Sequence, residues 1–518
     1  MPKKRFLVLG LDGMDVDLVR SWATAGYLPT FRRLFERSAW TDYVDPPEHL
    51  SGTIWTSINT GLGPLRHDFY FFTRLVSGSY RMRMARADDV KSDWFWKWFA
   101  QSGFRLALAD IPLFKPEPEY GGKQLLGWGQ HDLPWKMTSV PRGLLSSLSA
   151  RFGTHPVPYC HNYSPATDSL LEFRSGLLTG IERRTALLKS LIGERDWDLF
   201  YGVYSEPHCA GHLMWHLEDD SHPWHSQRQL GVVGHALRDV YAAIDRGLGE
   251  LMATADSNTT CAIFFSHGMG PNYHADHLFP ALVDRFNHHW VGAGRDLGNG
   301  NGRRGMFDLI WQSSVGRIPP ASRSCVKQRL PMHLRSWITA KRQQNPRVWS
   351  QMPGFSLPMD VFSSLRVNLL GREPHGRIRP GEEYRRYLDT FMAELSRLIN
   401  VDTGETAVER IFRADQRDDP LSIGSCPDLI VWWRKTAPIR ALRSTALGTI
   451  AGEFTDIRSG EHVMRGMLLL SDPQAKPGRH PIAGMKGLDI TATLCDLAGV
   501  RPGIGLDGTS RARDLMAV

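Results

Sequence analysis

The chain has 518 residues, of which 42% are apolar and 22% charged. That is the make-up of a folding chain, long enough for one large α/β domain with insertions or for two to three ordinary domains. The balance of 62 Lys and Arg against 54 Asp and Glu gives a net charge of +8. This fits either a basic surface or attraction to an anionic substrate, and no RNP, zinc-finger or helix-turn-helix signature marks a nucleic-acid module. No apolar run approaches the roughly 18 residues needed to span a bilayer. Six cysteines without CxxC spacing argue against a disulfide framework or a zinc knuckle, so the expectation is a cytoplasmic protein with no membrane partner.

The basic start, Met1 to Arg5, runs straight into Phe6-Leu7-Val8-Leu9-Gly10-Leu11 and then Asp12, Asp15 and Asp17. This reads as a first β-strand and not as a signal peptide. Comparable apolar runs recur at 105–110, 197–204, 261–266, 427–433 and 466–471. Amphipathic stretches between them, such as Leu170 to Ile192 and Leu230 to Ala255, predict helices. Strands alternating with helices predict an α/β fold, a mostly parallel sheet with helices on both faces. The segment 291–358 breaks the pattern. It opens near Gly298-Asn299-Gly300-Asn301-Gly302 and continues through Lys327, Arg329, Arg335, Lys341 and Arg342. It is read as an inserted cap on a core of 1–290 and 359–518, or equally as a solvated surface helix.

Polar clusters fall at or just after the predicted strand ends, where open α/β sheets place their ligands. They are Asp12; Ser51 to Gly61 with Pro64, His67 and Asp68; Glu206 to His212; Ser266-His267-Gly268-Met269; and Gly460-Glu461-His462. One strand-end Asp or one His is weak on its own, and the order and spacing of the set carry the signal.

That ordered set resembles the alkaline phosphatase superfamily, in particular its type I phosphodiesterase/nucleotide pyrophosphatase branch and related phosphoglycerate mutases. The resemblance runs from Asp12 to about Asp507. It implies an alkaline-phosphatase-like fold, a strand-one Asp as metal ligand, and a Thr or Ser nucleophile nine residues before a Thr-Gly pair. Counting back from Thr60 gives Ser51, with Thr56, Thr60, Gly61, Pro64 and His67 in register. Ser51 is therefore the expected nucleophile and Thr53 its rival, with the Gly52 amide as a substrate contact. The family's D-x-x-x-H matches His208 and His212, its D-H-G-M matches Ser266 to Met269, and its late G-x-H matches Gly460 to His462. His208 and His212, four apart on a helix, share one face. The stretch Arg366-Val367-Asn368-Leu369-Leu370-Gly371-Arg372-Glu373 also matches. Arg366 and Arg372 then clamp an anion or form an ordinary structural ion pair.

By this resemblance the metal ligands are Asp12, Ser51 and His267 on one side and His208, His212 and His462 on the other. The implied cofactor is a divalent metal, zinc first, with manganese or magnesium as alternatives. Three imidazoles with an open position suit zinc. The Asp12 side keeps one carboxylate because Ser266 replaces an Asp, so its ion should bind more weakly unless Asp15, Asp276 or Glu206 fills in. His274-Ala275-Asp276-His277 supplies a further ligand or is a surface loop, Trp128 to Asp132 is a candidate pocket lining, and His216 lines the pocket or packs.

The implied chemistry is hydrolysis of a small anionic phosphate ester, diester or monoester, through a phospho-serine intermediate. The Trp55 at the fourth position after Ser51 disfavours a sulfatase, whose motif carries Arg there. A phosphotransferase or mutase, or a non-catalytic anion-binding member, stays open.

Overall fold

The structure is a computed structural model that describes residues 4–46, 53–129, 137–157, 159–292, 345–359, 362–414, 421, 424–454 and 456–516. The chain divides into two compact units. The first comprises 1–69, 87–272 and 457–518, and the second 70–86 and 273–456.

The first unit is built on a nine-stranded sheet. Its strands are β1 (Phe6–Leu11), β2 (Ala39–Val44), β3 (Leu106–Ala109), β4 (Lys123–Leu126), β5 (Thr138–Val140), β6 (Leu199–Tyr204), β7 (Thr260–Phe265), β8 (Arg465–Ser471) and β9 (Gly478–Arg479). They lie in the order β9-β2-β8-β7-β1-β6-β3-β4-β5. The central pairs β7-β1, β1-β6, β6-β3 and β3-β4 are parallel. All six residues of β1, β6 and β7 are buried, as continuous apolar strands require when both faces are covered.

Strand β8 runs antiparallel to β7, with Met467 opposite Phe265. That direction reversal has a functional consequence. Residues that follow β1, β6 and β7 emerge at one edge of the sheet, and residues that precede β8 emerge at the same edge.

Two long helices cover one face: α3 (Thr167–Gly193) and α5 (Ala236–Thr254). Helix α5 buries Leu237, Val240, Tyr241, Ile244, Leu248 and Leu251, a 3.6-residue stripe in which each side chain contributes about 1.5–3 kcal/mol. The second predicted helix is in fact two, Gln227–Val233 and Ala236–Thr254, because the backbone leaves the helical region at Gly234. Helix α1 (Val16–Thr24) starts at Asp15, whose carboxylate accepts from the Asp17 and Leu18 amides. Two more elements serve the site: α2 (Ile54–Thr60) and α4 (Glu206–Glu218).

In the second unit an antiparallel sheet runs in the order Gly354–Leu357, Ser363–Val367, Leu429–Trp433, Val408–Arg413. It shares a core with helices Phe279–Val291 and Glu382–Ser396, through Phe286, Tyr387 and Phe391. The apolar run 427–433 is thus a strand as predicted, but in this sheet and not the parallel one. Apolarity alone cannot separate a buried parallel strand from the middle of an antiparallel sheet. The predicted insertion 291–358 lies outside the described residues over 293–344, and its remainder includes Gly354–Leu357, an edge strand of this unit. Among the described residues no helix is long and apolar enough to cross a membrane.

Burial pushes the Asp15 carboxyl up to about 6 from its ordinary 3.8. The stability tied to its protonated form is therefore fully present below about pH 4 and is lost as pH rises through 6. Asp15→Asn keeps the cap acceptor without the charge. Between pH 4 and 7 the unfolding free energy of the wild type should fall relative to the variant, by something on the order of 2 kcal/mol. Urea unfolding of both proteins across that range reads the difference.

Candidate metal centre

Asp12 directly follows β1. The turn residue Gly13 has φ +67°, and a Cβ there would meet His208 Cα at 2.7 Å. Only glycine lets the β1 turn lie this close to α4. In the next turn of α4 stands His212, and the two rings are 4.5 Å apart. The first turn of α4 is held by charge. Arg184, buried in α3, binds Glu206 at 2.8 Å, Asp110 at 2.9 Å and the carbonyls of Val203 and Gly129. His155 lies 3.1 Å from the same Glu206 oxygen. Loss of one partner would leave an uncompensated buried charge, typically a 3–5 kcal/mol penalty.

The late histidine arrives on a two-stranded ribbon, Gly268–Pro271 with Gly460–Val463, in which Met269 faces His462. Gly460 is the contact point. A Cβ there would meet the Gly211 carbonyl oxygen at 2.2 Å and Trp215 Cβ at 2.8 Å. The Gly460 carbonyl accepts from His212 Nδ1 at 2.8 Å, and Ser459 N donates to the His212 carbonyl at 2.7 Å.

His208, His212 and His462 then converge. His212 Nε2 lies 3.1 Å from His208 Nε2 and 3.1 Å from His462 Nε2. The three form a group able to hold a metal ion. The bond from His212 Nδ1 to Gly460 fixes a lone pair on Nε2, which is the ligating tautomer. Burial, together with His267, His208 and His212, pushes His462 well below the usual histidine pKa, again favouring the neutral ligand form.

Beside this trio lies the Asp12 cluster. Asp12 Oδ1 accepts from Trp55 Nε1 at 2.7 Å and from Ser266 Oγ at 3.1 Å, and His267 Nε2 is 3.3 Å away. Burial alone would raise the Asp12 pKa. His208, His267 and the Trp55 N–H outweigh it and hold the carboxyl at about 2. The His267 and His462 rings are 4.1 Å apart. One carboxylate, one imidazole and a serine hydroxyl are a sparse donor set beside three imidazoles.

Asp12, His208, His212, His267 and His462, with Ser266, thus lie together. Ser51 and Gly52 lie outside the described residues, as do Gln130, His131 and Asp132 of the candidate pocket lining. Thr53 is buried at the start of α2. Other motif residues are structural. His67 Nε2 bonds Ser57 Oγ at 3.0 Å, and Thr60 Oγ1 donates to the Thr56 carbonyl.

Several expectations need correction. Arg366 and Arg372 are buried and fully engaged in the second unit. Arg366 binds Glu373 at 2.7 Å, while Arg372 grips Asp428 and Glu373. Burial would raise the Asp428 pKa, but Arg372 and Arg366 hold it low. These two arginines are the ordinary structural pair of the two readings, since their donors are spent inside the protein.

Asp15 caps α1 through its Oδ1, and Glu206 Oε1 is tied to Arg184 and His155. Asp276 and His274 belong to the second unit, where Asp276 accepts from Ser363 at 2.5 Å and its amide donates to His274 Nδ1. His216 packs between Ser459 and Gln229. Sequence reasoning missed Trp55 as the donor to Asp12, Arg184 as the anchor of α4, and the surroundings of Glu461. Trp55 and Arg184 have no spacing signal, and for Glu461 the contact with His212 lies far along the chain.

A buried cluster of imidazoles and a carboxylate at the strand ends of an α/β sheet defines the class, an α/β protein with a candidate metal centre. The type I phosphodiesterase / nucleotide pyrophosphatase profile matches residues 6–353, and the chain belongs to that family. Among solved structures the chain is similar to phosphonoacetate hydrolase from Sinorhizobium meliloti 1021, at TM-score 0.50 and 13% identity, covering 95% of this chain and 94% of that one. It is also similar to murine ectonucleotide pyrophosphatase / phosphodiesterase 5, at TM-score 0.48 and 11% identity over 99% of this chain and all of that one (100%). The first likeness shows the alkaline-phosphatase-like fold. Among curated proteins none matches the chain.

Gly460→Ala should push the ribbon off α4, because the new Cβ has no space against the Gly211 carbonyl. His462 would leave the trio, and affinity for zinc, measured by competition with a chromogenic chelator, should drop by at least tenfold. Unchanged affinity would show that the ribbon yields without moving His462.

Proposed function

We propose that the chain is a metal-dependent hydrolase of small anionic phosphate esters, diester or monoester, with Ser51 as its nucleophile. The observation that carries the reading is the meeting of three imidazole Nε2 atoms, 3.1 Å apart in two pairs, beside an ionised Asp12. His208, His212 and His462 would hold the cation, zinc by the softness and number of their donors. Such an ion, when bound, supplies Lewis-acid polarisation and charge stabilisation for phosphoryl transfer.

The chain's own residues supply the rest. Ser51 Oγ forms the new bond to phosphorus as the bond to the leaving oxygen breaks, giving a phospho-serine that water then cleaves. The hydroxyl proton of Ser51 leaves with the departing alcohol or with solvent. Asp12, fixed by the Trp55 N–H and the Ser266 hydroxyl, keeps its charge on the His267 side. The net charge of +8 favours approach of an anionic ester.

The purified chain should release p-nitrophenol from bis(p-nitrophenyl) phosphate or p-nitrophenyl phosphate, lose that activity to a chelator, and regain it on adding zinc or manganese. Ser51→Ala should lower turnover by roughly two orders of magnitude or more, and Thr53→Ala should keep most of it. The reverse ranking would move the nucleophile to Thr53. Metal-independent turnover, or none with either ester class, would remove the reading.

A further inference from the structure

Glu461 stands between two ligands of the imidazole trio and is fully buried. Its Oε1 accepts the His462 amide at 2.9 Å and faces His462 Nδ1 at 3.7 Å and His212 Nδ1 at 4.0 Å. Its Oε2 faces Arg458 at 3.1 Å. The carboxylate therefore lies directly behind two imidazoles, on the side away from their Nε2 atoms.

Three neutral imidazoles bring no negative charge to a dication, and a dication desolvated by neutral groups alone is costly. His208 occupies a position where a carboxylate would have supplied that charge directly. We propose that Glu461 supplies it from one shell further out, as the positioning and charge-compensating residue for the cation held by His208, His212 and His462. A carboxylate behind a ligating imidazole makes the ring more basic. At 3.7 and 4.0 Å it is beyond hydrogen-bond reach of either Nδ1, and His212 Nδ1 is bonded to the Gly460 carbonyl, so one carboxylate acts on both rings through its charge. The inference rests on the reading that the trio holds a divalent cation.

Glu461→Gln removes the charge but keeps the size and the acceptor for the His462 amide. Its affinity for zinc, and for cobalt as a spectroscopic probe, should fall about 10–100-fold against the wild type. At saturating cobalt the visible absorption bands should keep the wild-type shape, which shows the three ligands still in place. Adding His208→Asp to this variant returns a negative charge to the ligands and should recover most of the lost affinity.

Arg458→Gln, at a partly exposed position, acts in the opposite direction. Without its opposing charge the Glu461 carboxylate acts fully on the site and cation binding should tighten. This variant also decides the matter if Glu461→Gln does not fold.

Wild-type affinity in Glu461→Gln overturns the proposal, as does a double variant no tighter than Glu461→Gln. Unchanged or weaker binding in Arg458→Gln does the same. A wild-type protein that binds neither zinc nor cobalt overturns the hydrolase reading itself, a result distinct from tight wild-type binding that ignores the charge at 461.

Discussion

Buried imidazole nitrogens facing one another are unstable company. With His212 Nδ1 committed to the Gly460 carbonyl, its Nε2 presents a lone pair to two other Nε2 atoms at 3.1 Å. Either its neighbours carry protons toward it or a cation lies among them. Much of the first unit serves to enforce this meeting. Arg184 clamps the start of α4 through Glu206, glycines at 13 and 460 remove the side chains that would hold the backbone apart, and the reversed strand β8 brings a residue from near the C-terminus back to the edge reached by β1, β6 and β7. These devices cost stability elsewhere, in a buried arginine and in backbone positions restricted to glycine, and such costs are characteristic of a site and not of a packed core.

The centre is electrostatically asymmetric. Among the described residues, on one side a single carboxylate, Asp12, accepts from Trp55 and Ser266 and pairs with His267; on the other, three imidazoles meet with no carboxylate among them. Trp55 matters here because an indole N–H only donates. It stabilises the ionised Asp12 and cannot itself become a ligand, so it sets the charge of that side without adding a donor. By donor count and softness, a cation would prefer the trio.

Most of the fold was legible in the sequence because buried parallel strands are written as unbroken apolar runs. Five of the predicted strands lie in the main sheet, and the sixth, at 427–433, is a strand of the second unit. What could not be read was which sheet a run joins, since that depends on partners and not on composition. In the site, Asp12, His208, His212, His267 and His462 were readable because each stands beside a strand end or at helical spacing. The roles of Arg366 and Arg372 were not, because a clamp for a bound anion and a buried partner for Asp428 have the same local sequence. Trp55, Arg184 and Glu461 escaped for the complementary reason. Trp55 acts across 43 residues, Arg184 across 22 and 74, and Glu461 reaches His212 across 249, and no local pattern encodes a distant partner.

Moving negative charge from the ligands to a position behind them changes what the open face of the centre offers. A carboxylate ligand holds the cation firmly but also repels an incoming phosphate ester, which approaches within a few ångströms. Coulomb repulsion between unit charges at 4 Å is about 4 kcal/mol at an effective dielectric constant of 20. On the proposed reading Glu461, behind two imidazoles and paired with Arg458, would attract the cation from the protein side, away from the face open to an anion. The substitutions that make the ligand set look depleted therefore act in two directions. They weaken cation binding, which Glu461 offsets, and they lower the barrier to anion entry. A decayed scaffold would show the first effect without the buried carboxylate that corrects it. If the trio holds a cation as proposed, the pairing of His208 with Glu461 is the feature that would separate a retuned centre from a lost one.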